Sequence, residues 1–209
     1  MTGYWLQVFS GAFFSSAIMT ALSTWLADKL HAMDKPDHIK IHVQPTPRLG
    51  GIGIFGGCMM AIALLNRLEV MSLARMVTAL AGTAVVFMTG ITDDCRSLSP
   101  LAKVLGQIAG ALAYTVLSCS PASVPPVELG VRLISSSIAF VGLSNSFNLM
   151  DGMNGLLAGT SSIVFVSGAA IAASNKMVDA STLLVGVAAA SLGFLPYNFP
   201  GAKTFMGDS

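Results

Sequence analysis

The sequence has little charge. Only 10% of its 209 residues are Asp, Glu, Lys or Arg, whereas 54% are hydrophobic. A soluble globular domain carries about 25% charged residues, so this composition excludes an ordinary soluble fold and makes lipid the expected solvent. The formal net charge is only +1. That value excludes a nucleic-acid partner, because binding to a phosphate backbone needs a strongly basic surface.

Cysteine is also scarce. The three cysteines, Cys58, Cys95 and Cys119, are widely spaced and form neither a CxxC pair nor a disulfide framework. We expect them to be small apolar side chains. No basic residue precedes the first apolar run, although a cleavable secretory signal needs one. That run is therefore expected to stay in the membrane as a helix.

Long apolar runs dominate what is present. A helix needs about 20 residues to span the hydrocarbon core. Seven runs of roughly that length occur, at residues 4–26, 49–65, 73–91, 101–119, 131–149, 155–173 and 181–199. They predict an all-α, polytopic transmembrane helix bundle of about seven helices, forming one membrane domain over residues 1–209. Two pairs of glycines lie four residues apart, Gly53 with Gly57 and Gly106 with Gly110. This spacing favours close packing of helices, within one chain or between copies of it in a homo-oligomer.

The charged side chains are unevenly distributed. Seven helices threaded alternately place the segments 27–48, 92–100, 150–154 and 200–209 on one side of the membrane. Seven of the eleven Lys and Arg residues lie nearest that side, which predicts that it is cytoplasmic. Seven of the ten acidic residues join them. All three histidines do too, and because they lack an HxxxH spacing we expect them to be solvated. Polar chemistry is thus predicted at one interface.

Two adjacent carboxylates, Asp93 and Asp94, follow the third apolar run. A charge at a membrane helix end costs free energy unless a cation or a water-filled cavity compensates it. The simpler alternative is that Asp93 and Asp94 lie in a loop and are solvated by water. Asp208 returns to the same predicted side, and Mg²⁺ prefers one or two carboxylates plus phosphate oxygens. Asp208 together with Asp93, Asp94 or Asp151 could supply such a site.

A second polar group follows the fifth run. Asn145, Asn148 and Asp151 are three residues apart, so on a helix they drift by only about 60° per step and share one face. Their oxygens could meet a ligand where the helix reaches water. Alternatively, they could hydrogen-bond a neighbouring helix.

The first loop ends in a pattern typical of anion binding. Arg48 precedes Gly50 and Gly51 at the start of a helix. A guanidinium group and exposed amide groups there favour phosphate, although Arg48 could instead extend to lipid headgroups. Phe205 in the tail could stack on a ring or anchor the chain at the interface.

Four strings of residues carry a resemblance to a known family. They are PTPRLGG at 45–51, GITDD at 90–94 with LSP at 98–100, NSFNLMDGMNGL at 145–156, and FMGDS at 205–209. In this order they resemble the polyprenyl-phosphate N-acetylhexosamine-1-phosphate transferases, glycosyltransferase family 4, over nearly the whole chain. The PTPRLGG string looks more like the branch that uses UDP-N-acetylglucosamine or related sugars than the peptidoglycan-precursor branch.

The resemblance implies a multi-pass enzyme of the bacterial inner membrane. It would use Mg²⁺ to transfer N-acetylhexosamine-1-phosphate from a UDP-sugar to undecaprenyl phosphate at the cytoplasmic face, releasing UMP. The product would start a cell-envelope polysaccharide such as lipopolysaccharide O-antigen. The implied roles are Asp93 and Asp94 at the lipid phosphate and metal, with one of them as base; Asp208 and Asn148 at Mg²⁺ and the diphosphate; and Asp151, Asn154 and Phe205 near the nucleotide. From the residue patterns described above, we expect Arg48 and Asn145 to bind substrate as well.

Two departures from the family pattern matter. Many members have Asp where this chain has Asn154, and the chain stops at Ser209 inside the expected GDxGS string. Later helices and the family's histidine-containing segment are absent, so we expect a C-terminally truncated chain. Two alternatives stay open, an inactive truncated remnant and a helix-bundle transporter. A transporter would place its ionisable groups near the bilayer midplane.

Overall fold

The computed structural model describes residues 2–30, 32–34, 45–119 and 124–209. His31, His38 and His42 lie outside the described residues, as does half of the first loop, so their predicted solvation stays a prediction. Within the described part of the chain there are seven α-helices: α1 Thr2–Lys29, α2 Gly51–Arg67, α3 Leu73–Arg96, α4 Pro100–Ser118, α5 Pro126–Met150, α6 Leu156–Ser174 and α7 Val178–Asn198. Two short strands, β1 Met33–Asp34 and β2 Thr46–Pro47, form an antiparallel pair.

The predicted fold class is confirmed. Six of the seven described helices are long and apolar enough to cross a membrane, and α2, with 17 residues, is the shorter one. One boundary differs in a way that matters. Helix α3 continues past the predicted end at residue 91 as far as Arg96. Asp93 and Asp94 therefore lie in the last turns of a helix and not in a solvated loop.

The chain forms two compact units. The first comprises residues 1–71 and 150–207, and the second comprises residues 72–149 and 208–209. The peptide bond between Gly207 and Asp208 thus passes from one unit to the other. That residues 1–209 form a single, incomplete domain stays a prediction.

Small residues hold the first unit together. One face of α1 presents side chains four apart that are fully buried, namely Val8, Ala12, Ser16 and Thr20. A Cβ atom on Gly57 of α2 would lie 2.7 Å from the Cβ of Ala190 on α7 and 2.8 Å from the Ala12 carbonyl oxygen. Ser16 also donates a hydrogen bond to the Ala190 carbonyl at 2.7 Å. Lipid provides no hydrophobic force between helices, so this close backbone packing must stabilise the unit.

The second unit is built in the same way around α3 and α4. Ser99 caps α4 by accepting a hydrogen bond from the Ala102 amide at 3.3 Å, and Pro100 occupies the first turn. Gly106 lies so close to Thr89 that any Cβ atom would overlap it. A Cβ atom on Gly110 would lie 2.6 Å from Val86. The close packing predicted at both glycine pairs is therefore confirmed.

We expect Gly57→Ala to lower the melting temperature of the detergent-solubilised protein. The added methyl group must displace Ala12 or Ala190, and such overpacking costs about 1–3 kcal/mol. Gly159→Ala is the matched control, because nothing lies within 4 Å of its Cβ position. Thermal unfolding followed by circular dichroism measures both variants. Equal melting temperatures for them would contradict the packing described for α1, α2 and α7.

Candidate active site

A cluster of charged side chains forms where α3 ends and α4 begins. Helix α3 ends at Arg96, and the capping residue Ser97 adopts the left-handed backbone conformation with φ 48°. The chain then reverses, and the Leu98 amide donates a hydrogen bond to Asp93 Oδ1 at 2.6 Å. Lys103 follows in the first turn of α4. The capped turn therefore brings a carboxylate of α3 and an ammonium group of α4 together.

Asp94 holds the end of the tail in this cluster. Its carboxylate accepts hydrogen bonds from two successive backbone amides, that of Asp208 at 2.8 Å and that of Ser209 at 3.0 Å. Asp94 is only 6% exposed. A buried carboxylate needs compensation of this kind, because an unpaired charge away from water is costly. Asp94 is thus a fixed structural acceptor for residues 208 and 209.

Gly90 makes this approach possible. A Cβ atom at Gly90 would overlap the carbonyl of Asp208 and would lie 2.8 Å from the Cα of Ser209. Gly90 stands one helical turn before Asp94 and lies on the same face of α3. Only glycine fits there without moving the tail.

Lys103 joins the other two carboxylates. Its Nζ atom lies 3.3 Å from Asp93 Oδ2 and 2.6 Å from Asp208 Oδ1, and all three side chains are largely buried. Asp93 and Asp208 are also close enough to share a hydrogen bond. Burial, reinforced by that hydrogen bond, raises the pKa of Asp208, and Lys103 opposes the rise. We call Asp93, Asp94, Lys103 and Asp208 the carboxylate–lysine cluster.

The donor chemistry of this cluster fits a hard cation. Three carboxylates and one ammonium group leave an excess of negative charge. The oxygens of Asp93 and Asp208 are of the type that Mg²⁺ prefers. Within the described ranges no three acidic, histidine or cysteine side chains form a complete metal cage. Mg²⁺ commonly takes one or two carboxylates and completes its shell with water and substrate phosphates, so two carboxylates fit that habit.

In the first unit, the rest of the tail pairs with the segment around β2. The Phe205 amide donates to the Pro47 carbonyl at 2.8 Å, and the amides of Gly50 and Gly51 donate to the carbonyls of Phe205 and Met206 at 3.0 and 2.8 Å. The expectation that these two glycine amides are exposed for an anion was therefore wrong. Carbonyl groups of the tail accept hydrogen bonds from both amides, because the tail pairs through its backbone with the Pro45–Gly51 string.

Asn198, at the end of α7, fastens the same tail. Its side chain accepts a hydrogen bond from the Gly155 amide at 2.6 Å and donates one to the Thr204 carbonyl at 3.0 Å. It is almost completely buried. Gly155 has a positive φ of 76°, a conformation that glycine adopts readily. Asn198 thus joins the start of α6 to the tail.

The fifth helix ends before it reaches Asp151, the last residue of the polar face predicted for it. Helix α5 stops at Met150, so Asp151 lies in the following turn and cannot continue a helical face with Asn145 and Asn148. The Asp151 carboxylate instead accepts a hydrogen bond from the Gly207 amide at 3.2 Å. The Asn145 side chain donates a hydrogen bond to Gln107 on α4 at 2.9 Å. This is the alternative stated above, a hydrogen bond to a neighbouring helix. Asn148 is exposed.

The remaining predicted site residues lie in the first unit. Arg48 Nη1 lies 3.8 Å from Asp34 Oδ1, beside the β1–β2 pair. The exposed Asn154 donates to the Pro200 carbonyl at 3.2 Å. The backbone of Phe205 is bound to the β2 segment, as described above, and its side chain is partly exposed. The roles of these three residues in substrate binding stay predictions.

The sequence alone did not single out three residues that matter in the structure. They are Gly90 and Lys103 in the second unit and Asn198 in the first. The signals were present, since Gly90 begins the GITDD string and Asn198 precedes the Phe-Pro-Gly turn. Lys103 is a basic residue within an apolar run, where an ionisable group is a functional candidate by default.

The fold and this cluster define an integral membrane protein with an acidic, lysine-containing site at the ends of spanning helices. The sequence comparison places it more narrowly. The model of glycosyl transferase family 4 matches residues 76–209, so the chain belongs to that family.

Individual relatives agree. A probable undecaprenyl-phosphate N-acetylglucosaminyl 1-phosphate transferase from Bacillus subtilis is 35% identical over 92% of this chain and 55% of its own length. A decaprenyl-phosphate N-acetylglucosaminephosphotransferase from Mycobacterium tuberculosis is 31% identical over 93% and 55%. A phospho-N-acetylmuramoyl-pentapeptide-transferase from Bacillus pumilus is 32% identical over 78% and 56%. The chain therefore spans about half the length of these curated relatives.

We expect Gly90→Ala to release the tail from the carboxylate–lysine cluster. The test introduces Ser209→Cys, whose thiol replaces a buried hydroxyl, and measures its rate of maleimide labelling in detergent. Gly90→Ala should raise that rate about tenfold, since the overlap costs about 1–3 kcal/mol. Gly142→Ala, with nothing within 4 Å of its Cβ position, should leave it unchanged. Equal rates in both backgrounds would show that Gly90 does not hold the tail.

Proposed function

We propose that this protein transfers N-acetylhexosamine-1-phosphate from a UDP-sugar to undecaprenyl phosphate, releasing UMP. The observation that carries the proposal is the carboxylate–lysine cluster at the end of α3, whose third acid is delivered by the tail. The names of the relatives support the substrate class, since they contain undecaprenyl or decaprenyl phosphate and N-acetylglucosamine. The product starts a cell-envelope polysaccharide.

The reaction joins two anions. A phosphate oxygen of the lipid forms a bond to the sugar-linked phosphorus of the donor, and the bond from that phosphorus to the UMP oxygen breaks. Uncompensated repulsion between the lipid phosphate and the donor diphosphate would block this approach. The Lys103 ammonium supplies positive charge beside Asp93 and Asp208, where the phosphates would meet.

Mg²⁺, when bound, would offset the remaining phosphate charge and orient the reacting oxygens. Asp93 and Asp208 are the residues that would hold it, since both carboxylates lie within 3.3 Å of the same lysine. Asp93 would also accept a proton from the lipid phosphate when that phosphate arrives as a monoanion. Asn148 belongs to the predicted metal set as well.

Asp94 has a different role in this proposal. Its two oxygens accept the amides of Asp208 and Ser209, so it positions Asp208 and does not act as the base. Asp151 similarly fixes Gly207, next to Asp208 in the chain. Asn154 and Phe205 would contact the nucleotide, and Arg48 and Asn145 would support the bound substrates.

The site would face the cytoplasm of a bacterium, from its inner membrane. Two observations support this placement. If the seven helices thread alternately as predicted, the acidic segments lie on the side with the excess of Lys and Arg. The relatives named above are bacterial. A UDP-sugar would be available on that side. The ionisable groups also lie at the end of α3 and not at mid-helix, which favours an enzyme over a transporter.

Membranes containing the chain should release UMP from UDP-N-acetylglucosamine when undecaprenyl phosphate and Mg²⁺ are present. Asp93→Asn and Asp208→Asn should each lower the rate by at least about a hundredfold, since each removes charge at the reacting phosphates. Glu128→Gln is the control, because its carboxylate forms only an exposed ion pair with Arg132. Chromatography of the nucleotide products gives the rates.

Full UMP release by both aspartate variants would overturn the site. Absence of UMP release from the unaltered chain, with a full-length relative active in the same membranes, would favour the inactive remnant. Uptake of solute into vesicles without any nucleotide product would favour the transporter.

Metal binding can be tested without turnover. We expect millimolar Mg²⁺ to raise the melting temperature of the detergent-solubilised protein, because a ligand that binds only the folded state stabilises it. Asp93→Asn and Asp208→Asn should each remove that shift, whereas Glu128→Gln should retain it. A shift of the same size in all four proteins would place the cation elsewhere.

A further inference from the structure

The fifth helix of the second unit is attached to α4 through polar side chains. None of the residues of α5, Pro126–Met150, is buried, so apolar burial holds this helix only weakly. Two hydrogen bonds join it to α4. The hydroxyl groups of Ser136 and Thr115 share one at 2.6 Å, and the Asn145 amide donates the other to Gln107 at 2.9 Å.

The α4 partners lie on one face of that helix. Gln107, Ala111 and Thr115 are spaced by four residues, and all three are buried. Lys103 lies four residues before Gln107 and continues the same face. The face that binds α5 thus leads directly to the carboxylate–lysine cluster.

The same two hydrogen bonds set the direction and the register of α5. Residue numbers fall along α4, from Thr115 to Gln107, as they rise along α5, from Ser136 to Asn145, so the two helices are antiparallel. One turn beyond Gln107 is Lys103, and one turn beyond Asn145 is Asn148. In this register Asn148 comes level with Lys103.

Both N–H groups of the Asn145 side chain are engaged within the protein. One donates to Gln107, and the other donates at 2.8 Å to the Val141 carbonyl of its own helix. Gln107 is only 3% exposed, and a buried acceptor that loses its donor costs free energy. Asn145 therefore cannot donate to a substrate without leaving a buried group unpaired.

We infer that Gln107 and Asn145 are positioning residues, whose hydrogen bond holds Asn148 level with the carboxylate–lysine cluster. The inference rests on the proposed function, in which Asn148 belongs to the predicted metal set. It refines the role of Asn145, which supports the substrates through Asn148 and not by contact. The Ser136 hydrogen bond lies about 12 Å further along α4 and attaches α5 away from the cluster.

Spin labels measure this register without metal or turnover. The labels replace Leu101 and Leu149, which are exposed and lie close in sequence to Lys103 and Asn148, in a chain whose three cysteines are changed to alanine. We expect pulsed electron paramagnetic resonance in nanodiscs to give a single, narrow distance distribution. Two broad populations in this otherwise unaltered chain would overturn the inference.

Variants of the pair test its cause. Gln107→Leu and Asn145→Leu should each broaden the distribution, because each removes the hydrogen bond. The exchange of the two side chains, Gln107→Asn with Asn145→Gln, keeps an amide on each helix and should restore the narrow distribution. A distribution that neither leucine variant changes, or that the exchange leaves broad, would overturn the inference. Melting temperatures show that the variants fold.

The consequence for the site is measured by titrating Mg²⁺ into the detergent-solubilised protein in a calorimeter. Gln107→Leu and Asn145→Leu should each weaken Mg²⁺ binding about three- to tenfold, the strength of an interhelical hydrogen bond in a membrane protein. The exchange variant should regain the affinity. Unchanged affinity in both leucine variants would contradict the positioning role.

Ser136→Ala is the matched control. It removes the other hydrogen bond between α4 and α5, so it should lower the melting temperature as the leucine variants do. It should leave the Mg²⁺ affinity unchanged, because it lies away from the cluster. An equal loss of affinity in Ser136→Ala would show that any loosening of α5 has this effect, and would contradict a specific role for Gln107 and Asn145.

The outcomes separate the two proposals. Distances that respond as expected, in a chain that neither binds Mg²⁺ nor releases UMP, would contradict the proposed function and leave the register of α5 intact. UMP release with distances that do not respond to the leucine variants would contradict the positioning role alone.

Discussion

The carboxylate of Asp94 is the constraint on which the site depends. It lies in the last turns of a membrane-spanning helix and is almost completely buried, where an uncompensated charge would be expensive. Two consecutive backbone amides compensate it, and hydrogen bonds to a charged group are among the stronger ones. The hydrogen bonds that stabilise the Asp94 carboxylate also fix the backbone of residue 208, so the side chain of Asp208 reaches Lys103.

The packing of the helices provides what this arrangement needs. Gly90 lets the backbone of residues 208 and 209 approach α3, and Gly106 lets α4 approach α3 at Thr89. In lipid such contacts are the main source of helix association, because the surrounding acyl chains are as apolar as the side chains. Small residues therefore do two things here. They stabilise the bundle, and they place Asp93 and Lys103 at hydrogen-bonding distance.

Much of the fold was predictable from the sequence because membrane helices are long and apolar. Their ends were less predictable. Helix α3 continues to Arg96 because the last turns tolerate charge at the interface, whereas α5 stops before Asp151. Helical periodicity alone therefore predicts Asp151 on a face that, in the structure, ends at Met150.

The site was predictable in part for the same reason. The gathering of Asp93, Asp94 and Asp208 followed from their predicted positions on one side of the membrane, and the structure brings these three together. The local sequence pattern could not show which groups form hydrogen bonds with each other. In the sequence, the amides of Gly50 and Gly51 resemble an anion site. In the structure they donate hydrogen bonds to carbonyl groups of the tail instead. Asn198 and Lys103 likewise become important only through contacts with residues distant in the sequence.

Amide hydrogen exchange in nanodiscs, resolved at Asp208 and Ser209, tests the central claim most directly. If the Asp94 carboxylate holds the tail, both amides should be protected in the unaltered chain and should lose protection in Asp94→Ala. Exchange of both amides at unprotected rates in the unaltered chain, or protection that survives Asp94→Ala, would contradict the account.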